Sequence, residues 1–219
     1  MTAWNRFAPF DTLAEALLPH LGESNDGAHD IAHLMRVWAN AFAIANADGG
    51  DREVIAASVL LHDCVAVEKN SPQRAQASGL AAARARGILA LLGWQQTRIE
   101  QVAHTIAAHS FSAEIAPHTQ EARVLQDADR LDAIGMIGVA RCFYTAGRMG
   151  SALYSAEDPR ALHRDLNDAA FALDHFRAKL LRVGEGFQTP TGVAMAKERT
   201  RRIAEFMVLF EIEIGALEA

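Results

Sequence analysis

The sequence predicts an all-α protein that folds as a single domain. Apolar residues recur with the 3.6-residue period of an amphipathic helix, as in Ile31, Leu34, Met35, Trp38 and Phe42, and no segment alternates with the period of a strand. Half of the 219 residues are apolar and 22% are charged, which allows a sizeable core and excludes a disordered chain. Glycine, proline and short polar stretches separate the periodic segments, so we expect helices joined by short loops.

Start and stop signals set the order of the helices. Asp51 can cap the third helix, Pro72 suits the first turn of the fourth, and Gly93 ends the fourth. We predict helices over residues 11–21, 29–47, 51–67, 71–92, 97–109, 121–146, 166–183 and 191–216. We expect one domain over 1–219, with a core at about 20–150 and C-terminal helices at about 160–217 that pack on it as a lid.

The charge composition argues against large polyanionic partners. The chain has 21 basic and 27 acidic residues, a net charge of −6, and no block of five like charges. Such a chain is poorly suited to bind the backbone of DNA or RNA, although a small phosphorylated compound could bind a locally cationic pocket. Two cysteines make neither a disulfide framework nor a cysteine-based zinc site.

The sequence contains no recognisable signal peptide, membrane-spanning segment or common nucleotide-binding motif. The N-terminal residues lack the apolar core of a signal peptide, and no run approaches the roughly 18 uninterrupted apolar residues of a membrane span. We therefore expect a soluble protein in the reducing cytoplasm. The sequence also lacks a P-loop, a G-x-G-x-x-G segment and the G-x-S-x-G turn of many serine hydrolases, so any nucleotide would be bound in another way.

A His-Asp pair interrupts the most apolar segment of the chain. Residues 54–67 are apolar nearly all round, which predicts a buried helix, yet this segment contains His62 and Asp63. Burying a carboxylate is costly unless it is paired or bound to a metal. Either Asp63 caps a neighbouring helix and His62 is a satisfied core histidine, or the pair belongs to a metal site.

Suitable partners for this pair lie on two other predicted helices. His33 is at the edge of an apolar stripe, and three carboxylates, Asp127, Asp129 and Asp132, follow one another within six residues. Asp129 and Asp132 share a face, since they are three residues apart. The acidic residues could instead be favourable partners of a helix dipole. Two imidazoles and two carboxylates would form a mixed nitrogen and oxygen set, which suits Mn, Fe, Zn, Ni or Mg.

The ordered set His33, His62-Asp63 and Asp129 resembles the signature of the HD-domain superfamily of metal-dependent phosphohydrolases. The similarity is closest to the small stand-alone bacterial members and extends over about residues 20–210, including the segments 108–112 and 174–180. It implies a helical bundle with a metal in a central cleft, held by these four residues. The implied cofactor is a divalent ion, Mn²⁺, Mg²⁺, Ni²⁺, Co²⁺, Fe²⁺ or Zn²⁺. In that scheme the metal polarises a phosphoryl oxygen and activates a bound water.

Further residues are candidates for catalysis and substrate binding. Asp63 and His109 are the expected catalytic residues. Asp132 is expected to contact the metal ligands without binding the metal itself. The candidates for substrate contact are the histidines and cationic residues near these motifs: His29, Arg36, Lys69, His175 and Lys179. Lys69, His175 and Lys179 could instead be solvated surface residues, and His29 could simply lie at the start of a helix.

These features predict a phosphohydrolase that cleaves a nucleotide, above all a nucleoside triphosphate or related polyphosphate. Other small phosphate esters are the alternative substrates. A di-iron oxygenase would need two more histidines between the HD pair and the last aspartate, and only His104 and His109, five residues apart, are available. A regulatory module without turnover is disfavoured because the motif is complete. We expect a small phosphorylated partner, neither a nucleic-acid polymer nor a membrane, and we leave a homodimer open.

Overall fold

The computed structural model describes residues 6–21, 30–65, 67, 76–110 and 113–218. The α-helices are α1 (Asp11–Leu17), α2 (Ile31–Asp48), α3 (Arg52–Leu61), α4 (Ala77–Leu91), α5 (Gln96–Ala107), α6 (Gln120–Asp132), α7 (Gly135–Met149), α8 (Ala172–His175), α9 (Leu181–Val183) and α10 (Pro190–Glu213). No strand occurs in these ranges, where Ala152 and Phe171 form an isolated parallel bridge. The all-α prediction is confirmed. None of the described helices is both long enough and apolar enough to span a membrane.

The chain forms two compact units. The first contains the residues up to Asp129 together with Gln188–Thr191, and the second contains Arg130–Phe187 together with the residues from Gly192 onwards. The division falls at Asp129, within the range of about 20–150 that we expected to form the core. Packing of the C-terminal helices as a lid stays a prediction.

Helix α3 is the central element of the first unit. It packs against α1, α2, α4 and α5, and every residue from Val54 to Leu61 is buried, as the sequence predicts. The Asp51 carboxylate caps the helix by accepting hydrogen bonds from the backbone amides of Glu53 and Val54. The predicted end at residue 67 is wrong, because α3 ends at Leu61.

A side chain accounts for this early end of α3. The Nδ1 atom of His62 lies 2.8 Å from the carbonyl oxygen of Val59. That carbonyl is the acceptor that the amide of Asp63 would use in a continuing α-helix. The chain turns instead, with the Cys64 amide bonded to the Leu61 carbonyl at 3.1 Å. His62 and Asp63 therefore lie in the turn that follows the helix.

The predicted helix over 121–146 is divided into α6 and α7. Gly135 has a φ of +72°, a left-handed conformation that L side chains rarely adopt, and it begins α7. A Cβ atom on Gly138 would lie 2.3 Å from the carbonyl oxygen of Ala133, so the first turn of α7 requires a glycine there. These two glycines are the sequence signal for the break.

The second unit is built around a cluster of aromatic rings. Phe143 of α7, Phe206 and Phe210 of α10, and Phe176 have ring centroids between 5.5 and 6.0 Å apart. Phe176–Leu180 is a π-helical segment between α8 and α9. The helix predicted over 166–183 thus begins later, at Ala172, because residues 151–171 form a loop.

Candidate metal centre

His62 presents one ring nitrogen to the centre and anchors the other. Its ring is buried, and its Nδ1 lies within hydrogen-bonding distance of the Val59 carbonyl oxygen. A carbonyl can only accept, so Nδ1–H donates in this contact and Nε2 faces the centre. A histidine that donates one N–H to a carbonyl and offers its other nitrogen is arranged as metal-binding histidines usually are.

Four donor atoms from α2, α6 and the turn after α3 converge at this point. The Nε2 atom of buried His33 lies 3.3 Å from Nε2 of His62. The Oδ2 atom of Asp63 lies 3.5 Å from Nε2 of His62 and 3.8 Å from Nε2 of His33. The Oδ1 atom of Asp129 lies 3.5 Å from Nε2 of His33 and 3.9 Å from Nε2 of His62. The structure therefore brings together the four residues of the sequence motif.

The donor set fits a divalent metal ion in both spacing and charge. Ligands about 2.1 Å from an ion are separated by about 3.0 Å at right angles and about 3.4 Å at tetrahedral angles. The observed separations of 3.3–3.9 Å need only a small contraction to reach that geometry. Two carboxylates beside two imidazole nitrogens concentrate negative potential, and this nitrogen and oxygen set suits first-row divalent ions.

The centre is open on its carboxylate side. The side chains of His33 and His62 are at most 2% exposed, whereas Asp63 is 39% and Asp129 is 30% exposed. The imidazoles therefore form a buried floor, and the carboxylates border a solvent-accessible approach. A substrate or water could reach a metal from that side.

His109 lies beside the four donors. Its ring meets that of His62 edge to face with centroids 5.0 Å apart, and donor atoms of His62, Asp63 and His109 lie within 4.8 Å of one another. Its Nδ1–H donates to the carbonyl of Ile106 at 2.6 Å, which leaves Nε2 as an acceptor. Burial, followed by the charge of His62, lowers the pKa of His109 below its usual 6.5, against the opposing effect of the two aspartates. The ring is neutral at pH 7.

Residues 126–128 of α6 are held by hydrogen bonds that the sequence analysis missed. Asn40 of α2 donates to the carbonyl of Ala128 at 3.0 Å, and Gln126 donates to the carbonyl of Ala108 at 3.0 Å. The carboxylate of Asp127 accepts from the amide of Gln188 and from the amide and hydroxyl of Thr189. The available signal was the polar character of Asn40 and Asp127 at positions where helical periodicity places buried residues.

The predicted substrate-contact residues of the first unit are His29, Arg36 and Lys69. His29 and Lys69 lie outside the described residues, so their predicted roles are untested. Arg36 is half-buried in α2, one turn after His33. Its predicted contact with substrate stays a prediction.

The other candidates belong to the second unit. His175 and Lys179 both contact the carboxylate of Asp168, with Nδ1 at 3.2 Å and Nζ at 2.7 Å. Both side chains thus lie on the same side of this segment, and their roles in substrate binding stay predictions. Asp132 is buried and forms an ion pair with Arg141 at 2.8 Å. Its support of the ligands is likewise a prediction.

The two histidines that a di-iron site would require lie in different surroundings. His104 stacks on His118 with ring centroids 5.9 Å apart, whereas His109 adjoins His62. Among the described residues, two groups could hold an ion. One consists of His33, His62 and Asp129, and the other of His62, Asp63 and His109. Neither of these groups contains His104.

Comparison with known proteins agrees with the motif. The HD domain profile matches residues 30–134. The uncharacterized protein YpgQ of Bacillus subtilis is 31% identical over 195 residues, which cover 87% of each protein.

Solved structures extend the similarity to the whole fold. The structure of Bacillus subtilis YpgQ in complex with ADP has a TM-score of 0.70 and 30% identity, and the match covers 92% of this chain and 97% of that one. An HD-superfamily hydrolase from Bacillus thuringiensis has a TM-score of 0.68 and 28% identity, with 99% and 100% covered. The Lin1889 protein of Listeria innocua has a TM-score of 0.69 and 26% identity, with both chains covered completely. Family profile, sequence relative, fold and clustered HD motif agree, and the chain belongs to the HD-domain superfamily.

Proposed function

We propose that this protein is a metal-dependent phosphohydrolase that cleaves a nucleotide, most readily a nucleoside triphosphate or a related polyphosphate. The observation that carries the proposal is that a carboxylate oxygen of Asp63 and one of Asp129 each lie within 3.9 Å of the Nε2 atoms of both His33 and His62. The similarity to YpgQ, which has been crystallised with ADP, supports a nucleotide as the ligand.

These four residues would hold the metal. When bound, a divalent ion at this centre would polarise a phosphoryl oxygen and lower the pKa of a coordinated water. The buried imidazoles fix the inner side of the centre, and the partly exposed carboxylates of Asp63 and Asp129 border the side from which a phosphate would approach. Mn²⁺, Mg²⁺, Ni²⁺, Co²⁺, Fe²⁺ and Zn²⁺ all accept such ligands.

His109 is the residue best suited to accept a proton in this reaction. Its Nδ1 proton is committed to the carbonyl of Ile106, and its lowered pKa keeps Nε2 unprotonated at neutral pH. A neutral imidazole can take a proton from an attacking water, whereas it attracts a phosphate more weakly than a cation does. We therefore assign His109 to proton transfer and leave phosphate binding to the cationic candidates Arg36, Lys69 and Lys179, with contributions from His29 and His175.

Metal analysis of the purified protein, followed by a substrate panel, tests the proposal. The panel contains nucleoside mono-, di- and triphosphates and simple sugar phosphates, each assayed with Mn²⁺, Mg²⁺, Ni²⁺ and Co²⁺. We expect turnover of nucleotides, and product analysis will distinguish release of phosphate from release of pyrophosphate. The Asp63→Ala protein measures any contaminating phosphatase. Turnover confined to sugar phosphates, an oxygen-consuming reaction, or a protein that binds no metal would overturn the proposal.

A further inference from the structure

Two aspartates bind the segment Gln188–Thr191 in the same way. The carboxylate of Asp48 accepts hydrogen bonds from the amide and the hydroxyl of Thr191, both at 2.9 Å. The carboxylate of Asp127 accepts from the amide of Thr189 at 2.8 Å, from its hydroxyl at 2.7 Å, and from the amide of Gln188 at 2.9 Å. Each contact pairs one carboxylate with the amide and hydroxyl of one threonine.

The two aspartates differ in their distance from the candidate metal centre. Asp48 is half-buried at the end of α2, 15 residues after His33, which corresponds to about 22 Å along the helix axis. Asp127 is 0% exposed and lies two residues before Asp129 on α6. Burying a carboxylate in this way is costly, and the hydrogen bonds to Gln188 and Thr189 offset that cost.

Asp127 and Asp129 project from opposite sides of α6. Successive residues of an α-helix are separated by about 100°, so side chains two positions apart point roughly 200° away from each other. The hydrogen bonds of Asp127 therefore hold the helix from the side opposite to the metal ligand. Any rotation of α6 about its axis would break them and would also move the Asp129 carboxylate.

The neighbouring residues restrain the same turn of α6 from two more directions. Asn40, on the helix that carries His33, donates to the carbonyl of Ala128. Gln126 donates to the carbonyl of Ala108, which directly precedes His109. The turn before Asp129 is thus tied to the elements that carry the other residues of the centre.

We propose that Asp127 is a positioning residue that sets the metal affinity of the centre by fixing the orientation of Asp129. This inference rests on the proposed function, since it requires that Asp129 bind the metal. Partners that orient a ligand typically change metal affinity about 10- to 100-fold when they are removed. Asp48, which makes the same kind of contact far from the centre, contributes only to folding.

Direct measurement of Mn²⁺ binding to the full chain tests this proposal. In Asp127→Asn, the amide group replaces one acceptor oxygen with a donor that faces backbone N–H groups. We expect the Kd for Mn²⁺, measured by calorimetry on folded protein, to rise by about 10-fold or more. The electron paramagnetic resonance spectrum of bound Mn²⁺ should change as well. The matched variant Asp48→Asn should lower the melting temperature while its Kd stays within about twofold of the wild type.

Two substitutions of Thr189 keep the test decisive if Asp127→Asn does not fold. Thr189→Val removes the hydroxyl donor and should weaken Mn²⁺ binding about threefold or more, whereas Thr189→Ser keeps the donor and should bind as the wild type does. Wild-type Kd values in Asp127→Asn, or in folded Thr189→Val, would overturn the positioning role and leave the proposed function standing. Failure of the wild-type protein to bind any divalent ion would overturn the proposed function itself.

Discussion

Carboxylates face different groups in two regions of the molecule. In the second unit, buried Asp174 accepts two hydrogen bonds from Arg164, and buried Asp132 pairs with Arg141. Burial opposes the ionisation of Asp174, but the Arg164 hydrogen bonds and the Asn167 amide hold its pKa below the usual value. These aspartates carry their counter-charge within the fold.

At the candidate metal centre, the carboxylates face imidazole rings. Asp63 and Asp129 face the Nε2 atoms of His33 and His62, and an imidazole neutralises a carboxylate only when it is protonated. On our proposal, a metal ion at this centre would bind both carboxylates. A carboxylate that faces an arginine thus stabilises the fold, whereas on our proposal a carboxylate that faces imidazoles binds a metal ion.

The largest expected effect follows from removing a carboxylate of the centre. Asp63→Ala and Asp129→Ala should each abolish stoichiometric metal binding and lower turnover by about 10³-fold or more, because a ligand and its charge are lost. Metal analysis and steady-state kinetics measure both effects. The free energy of unfolding of the metal-free proteins should change by less than about 1 kcal/mol, since both side chains are partly exposed. Loss of the fold would instead assign the pair a structural role.

For a carboxylate paired with an arginine, we expect the opposite result, a loss of stability without a loss of metal binding. Arg164→Met leaves Asp174 buried without its guanidinium partner and should lower the free energy of unfolding by about 3 kcal/mol. Urea denaturation measures this change, and metal content should be unaffected. The control Arg182→Met removes an exposed arginine of the same unit and should change stability by less than about 0.5 kcal/mol. Equal effects of the two variants would contradict the importance of the buried pair.

Substitution of His109 tests whether this buried residue transfers a proton in the reaction or binds the metal. His109→Gln should lower kcat by about 10²-fold while the protein retains its metal, since a proton acceptor is lost. His104 lies in α5, which ends two residues before His109, and it stacks on His118, so His104→Gln should keep wild-type kcat. Loss of metal from His109→Gln would make His109 a ligand and would contradict its assignment to proton transfer.

The smallest expected effect concerns an arginine-paired carboxylate in the first unit. Asp51 caps α3 and accepts hydrogen bonds from Arg98, and Asp51→Ala should lower the free energy of unfolding by about 1 kcal/mol. Burial opposes the ionisation of Asp51, but Arg98 and the capped amides outweigh it and hold the pKa below 3.8.

The pH dependence of this variant has a definite sign. A lowered folded-state pKa stabilises the protein above the unfolded-state pKa, and this stabilisation is lost as the pH falls through the folded-state value. The difference between wild type and Asp51→Ala should therefore be constant from pH 5 to 7 and shrink below about pH 4. Asp51→Asn, which keeps an N-cap acceptor, should lose less stability at pH 7. A difference that grows in acid would contradict the lowered pKa.

Periodicity and capping signals were sufficient to predict where most of the helices lie. Asp51 caps α3 as predicted, and the final helix begins within one residue of its prediction. The errors concern ends that depend on particular contacts. The end of α3 depends on a bond from the His62 ring, and the break after α6 depends on the close approach of Gly138 to Ala133. Neither contact changes the periodicity of the apolar residues.

The sequence by itself determined the fold class, the family resemblance and the four residues of the motif, because helical period and the order of His and Asp residues are local properties of the chain. Only the tertiary structure decided that both carboxylates lie within 3.9 Å of the two imidazole nitrogens, that His109 adjoins them, and that the carboxylate of Asp127 is bound by Thr189. Those relations join residues up to 96 positions apart between His33 and Asp129. Their geometry depends on how α2, α3 and α6 pack, which side-chain volume and hydrogen bonding decide for the molecule as a whole.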